Sequence, residues 1–277
     1  MPRPHVEYVQ CQALRWKDLV AGHPRAGARA KTLSADSKTG ACSLLIEYPA
    51  GWQRRGPQML ACDEEFLVVA GDLVVNGRAF GPRAYGYFPA GLARRGMASQ
   101  TGAIVLTFFE AEPCPAPKRT KFDRRALVEF CDSDLMPWDT GFDHRLSGSG
   151  IGIKFLRKIP NGDRTWLLHK SADRREDLPK RGRLEKHPCV EEFFLLEGQL
   201  NWPMGPMKRG AYFWRPPGIV HGPGASLQGY VALFRSKDGP FVTDWQVETR
   251  PRPLRDPPYR PVLPLGYPRA RGALGGW

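Results

Sequence analysis

Short apolar runs punctuate this chain: Phe66 to Ala70, Ile104 to Phe109, Phe193 to Leu196 and Val231 to Phe234, each closed off by Gly, Pro, Asn or Asp. Runs bounded in this way read as β-strands. Val74-Val75-Asn76-Gly77 is a hairpin signal, because Asn-Gly suits the positive φ angles of a type I′ turn. A single helix is predicted, a short one around Arg124 to Cys131, with strand as its alternative. After about residue 248 the periodicity gives out and prolines accumulate. That composition predicts an extended arm laid over neighbouring structure, or a disordered tail.

The apolar pattern is written twice. Val6-Glu7-Tyr8 with Trp16 recurs as Val128-Glu129-Phe130 with Trp138, and Gly40 with Leu44-Leu45-Ile46 recurs as Gly162 with Trp166-Leu167-Leu168. The core then aligns without gaps: Cys62-Asp-Glu64-Glu65-Phe66 on Cys189-Val-Glu191-Glu192-Phe193, Gly71 on Gly198, Tyr85 on Tyr212, Pro89-Ala-Gly91 on Pro216-Pro-Gly218, and Gly102 on Gly229. The second copy is longer in the charged stretch Lys170 to Lys186. A duplicated all-β module of this size predicts two tandem jelly-roll (double-stranded β-helix) barrels, residues 1–115 and 116–248, followed by a Pro/Arg-rich arm at 249–277.

At 277 residues the chain is long enough to bury a substantial core. No apolar run approaches the length of a membrane span, and Met1-Pro-Arg-Pro-His-Val-Glu carries no apolar signal segment, so a cytoplasmic protein is expected. The six cysteines show no Cys-x-x-Cys spacing and read as reduced and structural. The net charge of +13 raises nucleic acid as a partner. Its distribution argues against that, since the excess sits in the tail (Arg250, Arg252, Arg255, Arg260, Arg269, Arg271) and in connectors such as Pro117-Lys-Arg-Thr-Lys121. No nucleic-acid-binding motif accompanies these residues. A small-molecule substrate, anionic or aromatic, is the partner expected.

Candidate chemistry gathers in the second copy, as Glu185-Lys-His187-Pro-Cys-Val-Glu191, six residues, Gly198, and later Gly210, five residues, Pro216-Pro-Gly218-Ile-Val-His221. Alternation along a strand places Glu185 and His187 on one face and turns Glu191 inward while Glu192 points away. Gly218 lets the chain turn so that His221 joins them. Imidazole and carboxylate together suit Fe, Mn, Zn, Ni or Co rather than a thiolate-selective ion. Cys189 reads as structural, because its counterpart Cys62 sits where the first copy has no such ligands. At the ligand positions the first copy has Gln58, Leu60 and Arg94, and only Glu64 survives. An ion pair between Glu64 and Arg94 is expected there, with that module serving as scaffold and dimerisation surface.

The two motifs resemble those of the cupin family, which read His-x-His, three or four residues, Glu, six residues, Gly, and then Gly, five residues, Pro-x-Gly, two residues, His. Every position matches except the first His, where Glu185 stands, and a final Asn, where Ala225 stands. Trp214-Arg215-Pro216-Pro217 and His221-Gly222-Pro223 resemble in particular the bicupins with ChrR-like domains. The resemblance implies one divalent metal ion per chain in the second barrel, held by His187, Glu191 and His221, with Fe(II) favoured and Zn, Mn, Ni or Co as alternatives. Glu185 is then a fourth ligand, a general base beside the metal, or an ordinary surface carboxylate. Trp202, Tyr212 and Trp214 are candidates to line the cavity, and Arg215 and Arg235 to clamp a substrate carboxylate. The implied activity is that of a non-haem Fe(II) dioxygenase or related C–C-cleaving enzyme, working as a homodimer. The alternatives are a non-oxidative lyase, isomerase or decarboxylase, and a non-catalytic binding or sensory bicupin.

Overall fold

A computed structural model describes residues 3–117, 120–144, 148–176, 178–269 and 276–277. Lys118 and Arg119 of the basic connector and Arg271 of the tail lie outside the described residues. Among the described residues regular structure is almost entirely strand, with short 3-10 turns at Cys11–Ala13 and Ser133–Leu135. The segment predicted as helix or strand near Arg124 to Cys131 contains the strand Val128–Asp132. Asn76 and Gly77 take positive φ between the paired strands Leu73–Val75 and Arg78–Phe80, the hairpin their sequence predicts. No helix among the described residues is long and apolar enough to cross a membrane.

The chain divides into two compact units, one built from Arg15–Met136 and one from His5–Leu14 with Pro137–Trp277. In the first, a seven-stranded sheet runs Val128–Asp132, Ala84–Phe88, Glu64–Gly71, Ala103–Phe109, Cys42–Tyr48, Arg29–Ala35, Lys17–Asp18. Its core clusters around Phe66, Phe80, Phe88 and Phe109. In the second, the main path runs Val6–Gln10, Ala211–Arg215, Val190–Trp202, Tyr230–Lys237, Arg164–Lys170, Ile151–Lys158, with Gly205–Lys208 paired to Val190–Trp202. Its core clusters around Trp166, Phe193, Trp202 and Phe213.

The units do not coincide with the repeats. Val6–Gln10 opens the first repeat, yet it pairs with Ala211–Arg215 of the second. Val128–Asp132 opens the second repeat and pairs with Ala84–Phe88 of the first. Each repeat thus supplies an edge strand to the sheet of the other, and the boundary drawn at 115/116 differs accordingly: residues 116–136 join the first unit and residues 5–14 the second.

Within the sheets the duplication is accurate to the atom. A Cβ at Gly71 would lie 1.9 Å from the Gly102 carbonyl oxygen, and one at Gly198 would lie 2.1 Å from that of Gly229. Both glycines hold φ near +75°, so close approach and backbone conformation require the same residue twice. The Tyr85 hydroxyl donates to Glu65 (2.7 Å) as that of Tyr212 donates to Glu192 (2.6 Å).

The tail differs in detail from the arm that its composition predicts. Strand Asp244–Pro251 runs past residue 248 because it pairs with Arg181–Lys186, and its side chains are mostly exposed, which explains its lack of apolar periodicity. Beyond it the chain is irregular but anchored within the second unit. Asn201 donates to the Pro253 carbonyl (3.0 Å), the Tyr259 hydroxyl to that of Tyr8 (2.9 Å), and the Val262 amide to that of Glu7 (2.6 Å).

Candidate metal centre

Strand Arg181–Lys186 brings Glu185 to the site, and the backbones of Glu185 and His221 exchange hydrogen bonds of 3.0 and 2.8 Å. Gly218 takes positive φ and donates its amide to the His187 carbonyl (2.8 Å), closing the turn that delivers His221. Gly91 does the same to Leu60 at 2.8 Å in the first unit, so this turn belongs to the fold and the histidines are what the second unit adds.

One donor atom each from Glu185, His187 and His221 falls within 4.8 Å of the others. The His221 Nε2 lies 3.7 Å from Glu185 Oε1 and 3.5 Å from Glu191 Oε2, and the His187 Nε2 lies 4.0 Å from Glu191 Oε1. These separations are too long for hydrogen bonds. They suit atoms that share one ion at about 2.0–2.2 Å from each. The other ring nitrogens are committed: His187 Nδ1 lies 3.0 Å from the Val242 carbonyl and His221 Nδ1 lies 2.9 Å from that of Ile219. A carbonyl accepts only, so each Nδ1 carries the proton and each Nε2 lone pair faces the cluster.

Electrostatics set the protonation of these groups differently. Burial, followed by the nearby Arg215 charge, pushes His221 down to about 4, so its imidazole is neutral at pH 7. Burial and then the Glu191 charge push the Glu185 carboxyl up to about 7. Burial also raises Glu191, but the Arg215 guanidinium and the two imidazoles outweigh it and hold that carboxylate below its usual range.

Behind the cluster lies a buried network that sequence reasoning missed. Arg215 grips Glu7 with Nε and Nη2, both at 2.5 Å, and donates from Nη1 to Glu191 Oε2 at 2.5 Å. Trp202 adds an Nε1 bond of 2.7 Å to Glu7. Against the burial that would raise it, Arg215 holds the Glu7 carboxyl down at about 2. Glu7 arrives on the exchanged strand, and its repeat partner Glu129 is exposed. The available signal was Arg215 itself, a charge in the apolar strand Ala211–Arg215 where the first repeat has Phe88.

The cluster opens onto a cavity of about 810 Å³ within the second unit, lined by aromatic residues that include Trp166, Trp202, Phe213, Phe234 and Phe241. Glu185, His187, Glu191, His221, Trp202 and Arg215 all line it. Tyr212, Trp214 and Arg235 are not among its lining residues, since alternation turns Phe213 and Arg215 toward the cavity and their neighbours away. Arg235 donates instead to Glu192 on that other face. Arg215 is fully engaged by Glu7 and Glu191, so neither arginine expected to clamp a substrate carboxylate is available to do so.

At the same place in the first unit stands a cluster of opposite character. Arg94 donates from Nε to Glu64 Oε2 at 2.6 Å, the ion pair that its sequence predicts. Arg25, which the sequence reading did not single out, bonds the other Glu64 oxygen and donates to Gln58 at 2.7 Å. Both guanidiniums are fully buried, and the remaining Arg94 donors reach the carbonyls of Leu92 and Phe88. Two fixed cations fill the space that ligands would need.

A family model described as a domain of unknown function (DUF4437) matches residues 7–242. No curated protein matches the chain. Among solved structures, a candidate dioxygenase of Nostoc punctiforme PCC 73102 superposes with a TM-score of 0.74 at 17% identity, over 90% of this chain and 91% of that one. Protein YlbA of E. coli, from family DUF861, gives 0.56 at 13% identity, over 83% of this chain and 90% of that one. A variant of oxalate decarboxylase OxdC from Bacillus subtilis gives 0.53 at 15% identity, over 86% and 79%. These are cupin-fold proteins, and at such identities the likeness is one of fold.

Proposed function

The chain belongs to the DUF4437 family, and from its own geometry we propose that it is a metal-dependent enzyme acting on a small organic molecule. The observation that carries this reading is the pair of imidazoles whose Nδ1 atoms are tied to backbone carbonyls while both Nε2 lone pairs meet two carboxylates at the wall of an aromatic cavity. The residues fit a divalent ion: Glu185, His187 and His221 gather their donor atoms most closely, and Glu191 lies beside both histidines. His187, His221 and Glu191 would hold the ion, with Glu185 as fourth ligand or as the base beside it. Such an ion would supply Lewis-acid polarisation of substrate oxygens and, if iron, the activation of dioxygen that two-His, one-carboxylate sets perform.

The chain's own groups do the rest. Arg215 fixes one Glu191 oxygen and leaves Oε1 toward His187. Glu185, whose carboxyl lies near 7, can take up or release a proton at physiological pH. The aromatic walls exclude water from an apolar substrate. We favour an Fe(II) dioxygenase or related C–C-cleaving activity, in line with the fold shared with the Nostoc protein. The proton-exchanging Glu185 supports a second reading, a non-oxidative lyase or decarboxylase. Anaerobic reconstitution with Fe(II), Mn(II) or Zn(II), followed by oxygen uptake against a panel of aromatic and aliphatic acids, separates the two. Oxygen consumption tied to substrate loss with Fe(II) alone supports the first. Product without oxygen supports the second, and saturable binding with no turnover under any metal overturns both in favour of a binding protein.

A further inference from the structure

The cations that line the cavity are not equally committed. Lys170 pairs with Asp173 at 2.6 Å, Arg215 is held by Glu7 and Glu191, and Arg252 donates to the Gly224 carbonyl. Arg164 is different. Among the described residues it has no carboxylate partner: its Nη2 donates to the Phe241 carbonyl at 3.0 Å, and its Nε is buried with no hydrogen bond. Its guanidinium carbon sits 5.0 Å from the Trp166 and Phe241 ring centroids and 5.6 Å from that of Phe155, a half-buried cation in an aromatic cage.

Directly across the strand pair lies Lys158, in register with Arg164, its ammonium 3.3 Å from the Phe155 ring centroid. It too lines the cavity and has no carboxylate partner among the described residues. Like charges directly opposite on paired strands repel. A half-buried guanidinium with no countercharge carries a further penalty. An anion arriving between them relieves both penalties. One ring separates this pair from the metal centre: Phe241 stacks on His187 at 4.0 Å between centroids and also flanks Arg164.

We propose that Arg164 and Lys158 form an anion subsite that takes the carboxylate of an aromatic or similarly flat organic acid. The rest of that molecule lies along Phe241 and presents its reactive end to the Glu185, His187, Glu191 and His221 cluster. The placement of that reactive end rests on the function proposed above; the anion subsite does not, because its recognition is electrostatic and independent of the metal.

The test is ligand binding, followed through tryptophan fluorescence, since Trp166 and Trp202 face the cavity. Benzoate and phenylacetate are titrated against their primary amides, with and without added Fe(II) or Zn(II). For the wild type at least one carboxylate binds about tenfold or more tightly than its amide. Arg164→Gln abolishes that preference, Arg164→Lys retains part of it, and Lys158→Gln, at an exposed position, weakens it and lowers its salt dependence, so the test survives if Arg164→Gln fails to fold. Equal affinity for acids and amides, absence of saturable binding of any of the four, or a carboxylate preference undiminished in the folded variants overturns the subsite. A preference seen in protein that takes up no metal upholds the subsite and counts against the metal-dependent function alone.

Discussion

The two histidines owe their character to what lies behind them. Because carbonyls of Val242 and Ile219 accept from the Nδ1 atoms, the neutral rings turn Nε2 toward the cluster. His187→Ala or His221→Ala should therefore reduce bound metal, measured by mass spectrometry of purified protein, by about tenfold or more while the circular dichroism spectrum stays the same. Glu185 supplies the pH dependence. It must lose its proton to ligate, and burial followed by the Glu191 charge sets its carboxyl near 7. Metal affinity should fall as pH drops below about 7, by up to about tenfold per unit, and Glu185→Gln should flatten that slope. In metal-free protein the same group acts with the opposite sign. Its folded value lies above its unfolded one, so the stability it confers is present below about 4.5 and is lost as pH rises toward 7. Metal titrations and urea midpoints across that range should thus slope in opposite directions. Aligning the two repeats makes the histidines legible, because Leu60 and Arg94 stand in their places. It cannot do the same for Arg215 and Arg235, because an arginine's sequence position does not say whether a carboxylate already holds it.

At the scale of elements, the decisive feature is the exchange of edge strands. Sequence alignment finds Val6–Gln10 and Val128–Asp132 as equivalents, but nothing in either strand states which sheet it completes, since both candidate sheets offer the same duplicated edge. That is why Glu7 stayed hidden: it lies far from His221 along the chain and shares its residue type with Glu129, so comparison of the repeats gives no contrast. Its consequence is testable. Removing one partner of a buried ion pair costs about 3–5 kcal/mol, and Glu7→Gln should lower the second unit's resistance to urea by that order. The acid limb gives the sign: with its carboxyl held at about 2, the contribution of Glu7 is present above about 4.5 and lost as pH falls through 2. The difference between wild type and Glu7→Gln should narrow over that window. Because Glu7 fixes the guanidinium that also holds Glu191, bound metal should fall as well, which a purely structural ion pair elsewhere would not cause. The all-β class, the Asn76-Gly77 hairpin and the glycine pairs were legible because each is a local requirement of backbone geometry; strand exchange is a choice between equals.

Across the whole molecule, one duplicated scaffold carries two solutions to the same problem, a buried glutamate that needs a positive counterpart. In the second unit Glu191 has Arg215 and, farther off, His221 on one oxygen and His187 toward the other. In the first, Glu64 has Arg94 on one oxygen and Arg25 on the other, and these charges hold its carboxyl below its usual range in spite of burial. A guanidinium is permanently charged and brings its own donors, so the first solution works without a cofactor and leaves no lone pair for one. Glu64 and Glu191 therefore give opposite outcomes for the same substitution. Glu64→Gln strands two buried guanidiniums against a neutral amide and should destabilise the protein by about 3–5 kcal/mol while bound metal per chain stays the same. Glu191→Gln should lower bound metal, because it removes a ligand charge from the cluster. Calorimetry and metal analysis of the two variants, purified side by side, decide the matter. A loss of metal in Glu64→Gln equal to that in Glu191→Gln would mean that the arginine-filled unit also takes part in holding the ion.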